Sequence, residues 1–222
     1  MLQPLSLVVI YWFVFTYMFT PRGGTPNNNY IGFLIAGLLP WIGINEGIVR
    51  ATSVIVDNSS MVRRLALRSE ILVIVPNVTA LLFEGIALGC FLVFLLARGA
   101  SLRSLWLLPL ALVIQLATQV GLGFFLSVLY VFFRDLSPIL GFVMSIFFYL
   151  SPILYPVTGG RFERIFLWNP MTPLLGLFRS ALLAAPLPPA LSIVFLLVVA
   201  LALFTGGLLF FRRAQGTLSD VI

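Results

Sequence analysis

The chain of 222 residues has no histidine, and its 13 basic side chains are all arginine. Without histidine, an imidazole metal site and a histidine proton relay are excluded. Without lysine there is no Walker A phosphate loop, which needs one. Whatever energy drives the protein is therefore not captured by an ATPase site of its own. The single cysteine, Cys90, lies in an apolar stretch and excludes a disulfide framework within the chain. Charge is scarce as well, at 9% of residues, against roughly 25% in soluble domains. The seven acidic residues are scattered. A lipid-modifying membrane enzyme, which needs clustered acids, His or Cys, is the weakest of the functional readings.

What is present is apolar: 61% of the residues are hydrophobic and mean hydropathy is +1.13. Six stretches reach the length of about 20 residues that a membrane-spanning helix needs. They run from Leu2 to Thr20, Tyr30 to Val56, Ile71 to Leu96, Leu105 to Phe132, Pro138 to Val157 and Leu191 to Phe211. The expected fold is all-α and polytopic, a single membrane domain over residues 1–222. Apolar spans continue to the end, so the first is not read as a secretory signal peptide. Six spans place both termini on one side. Seven arginines then fall on that side and six on the other, so the positive-inside rule barely orients the chain. The pairs Arg63-Arg64 and Arg212-Arg213 lean toward cytoplasmic termini.

Between the fifth and sixth spans lies the most informative segment. Ser151-Pro152 and Tyr155-Pro156 are followed by Asn169-Pro170 and Phe178-Arg179. A helix from Thr172 to Leu183 would reach only ~18 Å, against a hydrocarbon core of ~30 Å. Short, proline-interrupted pieces at membrane depth are tolerated only where protein or water surrounds them. The spacing predicts a re-entrant pair, Arg161 to Trp168 and Thr172 to Leu183, acting as a gate. Its residues would be Ser151, Pro152, Tyr155, Pro156, Asn169, Pro170 and Arg179. Asn169 is expected to satisfy backbone groups freed by Pro170 and Pro173. Arg179 would brace the gate, ahead of meeting a phosphate.

Other polar residues sit inside the spans. Glu46 and Arg50 are four apart and face each other on a helix, a structural pair near the interface. Glu84 is mid-span with no local partner, so it should face protein or a wet cavity rather than lipid, either neutral or paired with an arginine from another helix. Aromatic stripes occur at Tyr11, Phe15 and Phe19 and at Phe142, Phe147 and Tyr149. Lipid contact and packing explain most such rings. Apolar rings also stack on sugar faces.

Several segments in order carry a family resemblance. They are Gly37-Leu38-Leu39-Pro40-Trp41, the run Val56-Asp57-Asn58 to Arg63-Arg64, Ser69-Glu70, and Phe133-Arg134-Asp135. The Ser-Pro, Tyr-Pro, Asn-Pro and Phe-Arg series above completes the set. Together they resemble the permease subunits of type-2 ABC exporters in the branch that exports O-antigen, capsule or teichoic acid. The departures are Ala66-Leu67-Arg68, where the family usually has a Tyr-Phe-Pro-like run, and an N-terminal amphipathic helix expected to be missing.

The resemblance implies a homodimer in the bacterial inner (plasma) membrane, partnered by a separate pair of ABC ATPase subunits that bind ATP and magnesium. This chain would hold no cofactor or metal and would bind no nucleic acid. Its substrate would be a lipid-linked polysaccharide, with a drug or small-lipid exporter of the same family as the alternative. The ATPase-coupling loop would comprise Asp57, Asn58, Arg63, Arg64, Arg68 and Glu70, with Arg134 and Asp135 as a smaller second contact. The resemblance also places the first and fifth spans at the channel, which makes Tyr11, Phe15, Phe19, Phe142, Phe147 and Tyr149 the lining candidates.

Overall fold

Among the described residues six helices form the architecture: α1 (Asn28–Asp57), α2 (Ser69–Ala97), α3 (Leu107–Phe132), α4 (Leu136–Leu150), α5 (Met171–Leu183) and α6 (Ala190–Val221). They come from a computed structural model that describes residues 28–59, 69–100, 103–156, 166 and 168–221. No strand occurs among the described residues. Tyr30–Asp57, Ser69–Ala97, Leu107–Phe132 and Ala190–Gly216 are long and apolar enough to cross a membrane. These are the second, third, fourth and sixth expected spans. The expected first span lies outside the described residues. Pro40 and Pro76 lie inside α1 and α2, as membrane helices allow when neighbours satisfy the freed carbonyls.

The fifth expected span is corrected. Sequence periodicity carried it to Val157, but α4 ends at Leu150 after 15 residues. That is ~22 Å of helix. Ser151 adopts φ −99° and ψ 144°, the extended conformation that a following proline imposes through its ring. Pro152 also brings no N–H to continue the ladder. The chain turns over residues 151–155 instead.

Helix α3 is central, packing along α6, α1, α2 and α5. Its crossing with α6 is close because both helices carry glycine there. A Cβ on Gly121 would stand 2.5 Å from the Leu203 carbonyl carbon, and one on Gly207 would collide with the Gly121 carbonyl. Larger residues would force the backbones apart. Two apolar clusters fill the interior. One gathers Trp41, Leu88, Phe148, Leu174 and Phe178. The other gathers Ala51, Ile55, Val73, Phe124, Val128 and Phe211 at the end where α1 finishes and α2 begins.

The periphery is as apolar as the core. Leu82, Ile86 and Val93 on α2 and Leu191, Val198 and Leu201 on α6 are all more than half exposed. Water would penalise such a face; lipid does not. Helix α5 is the exception in the opposite sense. Ten of its thirteen residues are buried, among α1, α3 and α6. A helix apolar and covered nearly all round belongs to the interior of a bundle.

Candidate functional site

Where α4 breaks, the backbone loses its helical hydrogen bonds, and side chains from other helices replace them. The carbonyls of Pro152, Ile153 and Leu154 come in succession. Arg179 of α5 donates through Nη2 to Pro152 O at 2.7 Å and to Ile153 O at 3.2 Å. Tyr30 of α1 donates its hydroxyl to Leu154 O at 2.7 Å. Arg179 Nε also donates to Phe33 O at 3.4 Å, and the guanidinium lies 3.5 Å from the centroid of the Phe33 ring. The cation is thus buried against carbonyl dipoles and an aromatic face, with no ion pair to a carboxylate among the described residues. A planar fork of five donors suits this task. Gly37 makes room for it: a Cβ there would stand 2.8 Å from Arg179 Nη2.

Asn169 ties the same break to the start of α5. Its Nδ2 donates to Leu150 O at 3.0 Å and lies 3.3 Å from Ser151 Oγ. Its Oδ1 accepts the Met171 N–H at 2.9 Å. Asn169 therefore serves the end of α4 and the first turn of α5, rather than groups freed by Pro170 and Pro173 as the sequence suggested. Within that first turn the Thr172 hydroxyl is buried without a hydrogen-bond partner.

At its other end α5 stops on Ala184, in the left-handed region at φ 51°. The return segment then lies against the helix. A Cβ on Gly176 would stand 2.6 Å from Pro188 Cγ. Ser180 Oγ lies 2.9 Å from Gly176 O and 3.1 Å from Pro186 O.

Ser151, Pro152, Asn169, Pro170 and Arg179 therefore come together. Tyr155 sits at the edge, its hydroxyl donating to Tyr149 O and its ring edge-on to Phe166. Pro156 is exposed. Most of the other expected re-entrant piece, Arg161 to Trp168, lies outside the described residues; Trp168 packs edge-on against Phe195 of α6.

Among the lining candidates, Tyr11, Phe15 and Phe19 lie outside the described residues. Phe142 and Tyr149 are exposed on one side of α4. Phe147 turns the other way, with its ring 6.0 Å from Trp41.

The coupling candidates divide similarly. Arg63, Arg64 and Arg68 lie outside the described residues. Asp57 is exposed at the end of α1, and Asn58 Nδ2 caps Val54 O at 2.8 Å. Glu70 pairs with Arg212 of α6 at 3.1 Å. Arg134 and Asp135 are exposed in the turn between α3 and α4.

A second polar locus lies between α1, α2 and α3. Glu84 takes a hydrogen bond from Gln115 Nε2, where an arginine from another helix had been one expectation. Gln119 Nε2 donates to Asn77 O at 3.1 Å, and Asn77 Nδ2 to Val73 O at 2.8 Å. Gly43 and Gly47 pass against these side chains. Glu46 and Arg50 pair at 2.5 Å, partly exposed.

Sequence reasoning missed Phe33 and Gly37 beside Arg179, Tyr30 as the donor to Leu154 O, and Gln115 as partner of Glu84. Signals existed. Gly37 opens a quoted motif, and Gln115 and Gln119 are four apart in an otherwise apolar span.

A family model described as ABC-2 type transporter matches residues 1–183, ending with the last residue of α5. The O-antigen export system permease protein RfbA of Myxococcus xanthus is 27% identical over 207 residues, covering 91% of this chain and 78% of that protein. Two proteins of the same name from Klebsiella pneumoniae are 27% and 26% identical over 186 residues, each covering 80% of this chain and 69% of theirs.

Proposed function

The chain belongs to the ABC-2 type transporter family, and on that premise we propose that it exports lipid-linked polysaccharide outward across the bacterial inner membrane. It is a multi-pass membrane protein and a transport subunit rather than an enzyme. ATP and magnesium belong to a separate ABC ATPase pair. The O-antigen export permeases that it resembles over most of its length support the polysaccharide over a drug or small lipid. Two copies would enclose the path, because one chain of this size is small for a polymer-sized pore.

The observation that carries the reading is the seating of α5. A helix too short to span is buried on nearly all sides. It is tied to the break after α4 by Arg179 and Asn169. In the resting state this clasp would hold the gate shut. Movement of α1 or of the α4 end, driven from the ATPase through the segment between α1 and α2, would withdraw carbonyl partners from Arg179 and free α5 to shift. Unsatisfied groups cost ~1–3 kcal/mol each in a protein interior, so such a clasp has two discrete arrangements rather than a continuum.

The test is complementation. A strain lacking its own polysaccharide permease receives this chain with its cognate ATPase, and surface polysaccharide is measured. Export should return with both subunits and with neither alone. Polymer retained inside the cell, despite correct insertion and ATPase binding, would reject the substrate class.

A further inference from the structure

Glu84 lies near the midpoint of α2 and is only 5% exposed, and Gln115, facing it from α3, is fully buried. Gln115 Nε2 donates to Glu84 Oε2. The two remaining oxygens, Glu84 Oε1 and Gln115 Oε1, are both buried and both without a partner among the described residues. We propose that Glu84 and Gln115 hold one proton between them, closing a cyclic acid–amide pair that locks α2 to α3 inside the bundle.

The reasoning is a count of donors. An ionised carboxylate only accepts, and so does an amide oxygen. With Glu84 ionised, at least one acceptor on each residue is stranded. Turning the amide over does not help, since it exchanges one acceptor facing the carboxylate for another. A proton on Glu84 Oε1 makes that oxygen a donor to Gln115 Oε1, and both vacancies close with one bond. The proton is taken from solvent before the helices pack, and no other bond is made or broken.

Among the described residues no basic side chain supplies that positive charge instead. Helix α1 presents Gly43 to Glu84. The nearest charges on α1, Glu46 and Arg50, are partly exposed and bound to each other. Helix α3 carries no charged residue. On α2 itself, Glu70 is bound to Arg212 and Cys90 is exposed. A hard metal cation fits poorly, because it takes about six oxygen ligands and only two unpartnered oxygens sit here. Two more, Asn77 Oδ1 and Gln119 Oε1, flank Gly47 one turn along α1.

The pair explains how an acid can sit at this depth, where a bare charge is costly. It also gives the bundle an alkaline limit. Release of the proton would strand a charge and set acceptor against acceptor across the α2–α3 contact.

The test reads the proton directly and needs no transport activity. The full chain has four glutamates, Glu46, Glu70, Glu84 and Glu163. Isotope labelling of the glutamate carboxyl carbons separates their infrared bands from those of aspartate. At neutral pH we expect one labelled band of a protonated carboxylic acid, lost in Glu84→Gln and shifted in Gln115→Leu. Glu84→Gln can form the amide–amide version of the same ring, so it should keep its Tm. The wild-type Tm should fall at alkaline pH, and that of Glu84→Gln should not. Should Glu84→Gln fail to insert, the wild-type band and its shift in Gln115→Leu decide. All four glutamates ionised at neutral pH would overturn the proposal. So would a protonated band that survives Glu84→Gln, or a wild-type Tm set by sodium rather than pH.

Discussion

Arg179 is suited to its position because one rigid guanidinium can serve several carbonyls that point to a common centre. It reaches Pro152, Ile153 and Phe33 at once, while its face rests on the Phe33 ring. A lysine is a point charge with a flexible stem and lacks the fork. Arg179→Lys should therefore lower Tm and cut export at least tenfold without blocking insertion. Gly37→Val approaches the same clasp from α1 without touching the charge. Its added carbons would enter the space of Arg179 Nη2, and it should give the same two losses. Thermal unfolding in detergent and a surface-polysaccharide assay measure both variants. Wild-type behaviour in Arg179→Lys would show that the carbonyls need no fork.

Among the elements, α5 and the α3–α6 crossing make separate demands. Helix α5 depends on Asn169, which holds Leu150 O and the Met171 N–H together. Asn169→Leu leaves both unsatisfied, at ~1–3 kcal/mol apiece. It should damage export while membrane insertion persists. Cysteines placed one at a time from Leu174 to Leu177 should resist bulky outside reagents at rest and react during ATP-driven transport. Free labelling at all times, together with normal export by Asn169→Leu, would make α5 a static element. The crossing of α3 and α6 depends instead on close backbone approach at Gly121 and Gly207. Gly121→Val should separate the two helices, lowering both Tm and the folded yield. An unchanged Tm would mean that the crossing relaxes at no cost.

The whole molecule has two chemically different ends. The end of α1, the start of α2, the end of α3 and the Arg212 region of α6 meet at one end, stapled by the Glu70–Arg212 pair. Arg179, one of the six arginines that the six-span reading puts on the side opposite the termini, is buried in the bundle. The tally becomes seven against five, and the positive-inside rule then favours the Glu70–Arg212 end as cytoplasmic. In a Cys90→Ala background, Ser59→Cys should be shielded from outside reagents in intact cells, and Gly160→Cys should be reactive. Outside labelling of Ser59→Cys would invert the topology. At the same end, reversing Arg63 and Arg64 to Glu should weaken pull-down of the ATPase or uncouple hydrolysis from export. Normal pull-down with normal export would dismiss that loop as the coupling contact.

The sequence by itself determined the class and most of the helices. Hydropathy and the absence of lysine and histidine report on solvent and chemistry, and neither depends on how helices meet. Four spans were legible because a bilayer imposes a minimum apolar length on each helix separately. The shortness of α5 was legible for the same reason, from Asn-Pro punctuation. Tertiary structure alone decided the end of α4, since the choice between a helix running through Pro152 and a turn rests on whether other helices can satisfy the freed carbonyls. Tyr30 and Arg179 do so from 124 and 27 residues away. It also decided that Glu84 meets Gln115 and not an arginine, and that Arg179 turns inward. Such pairings follow from which helix faces which, and local sequence carries almost no information about that.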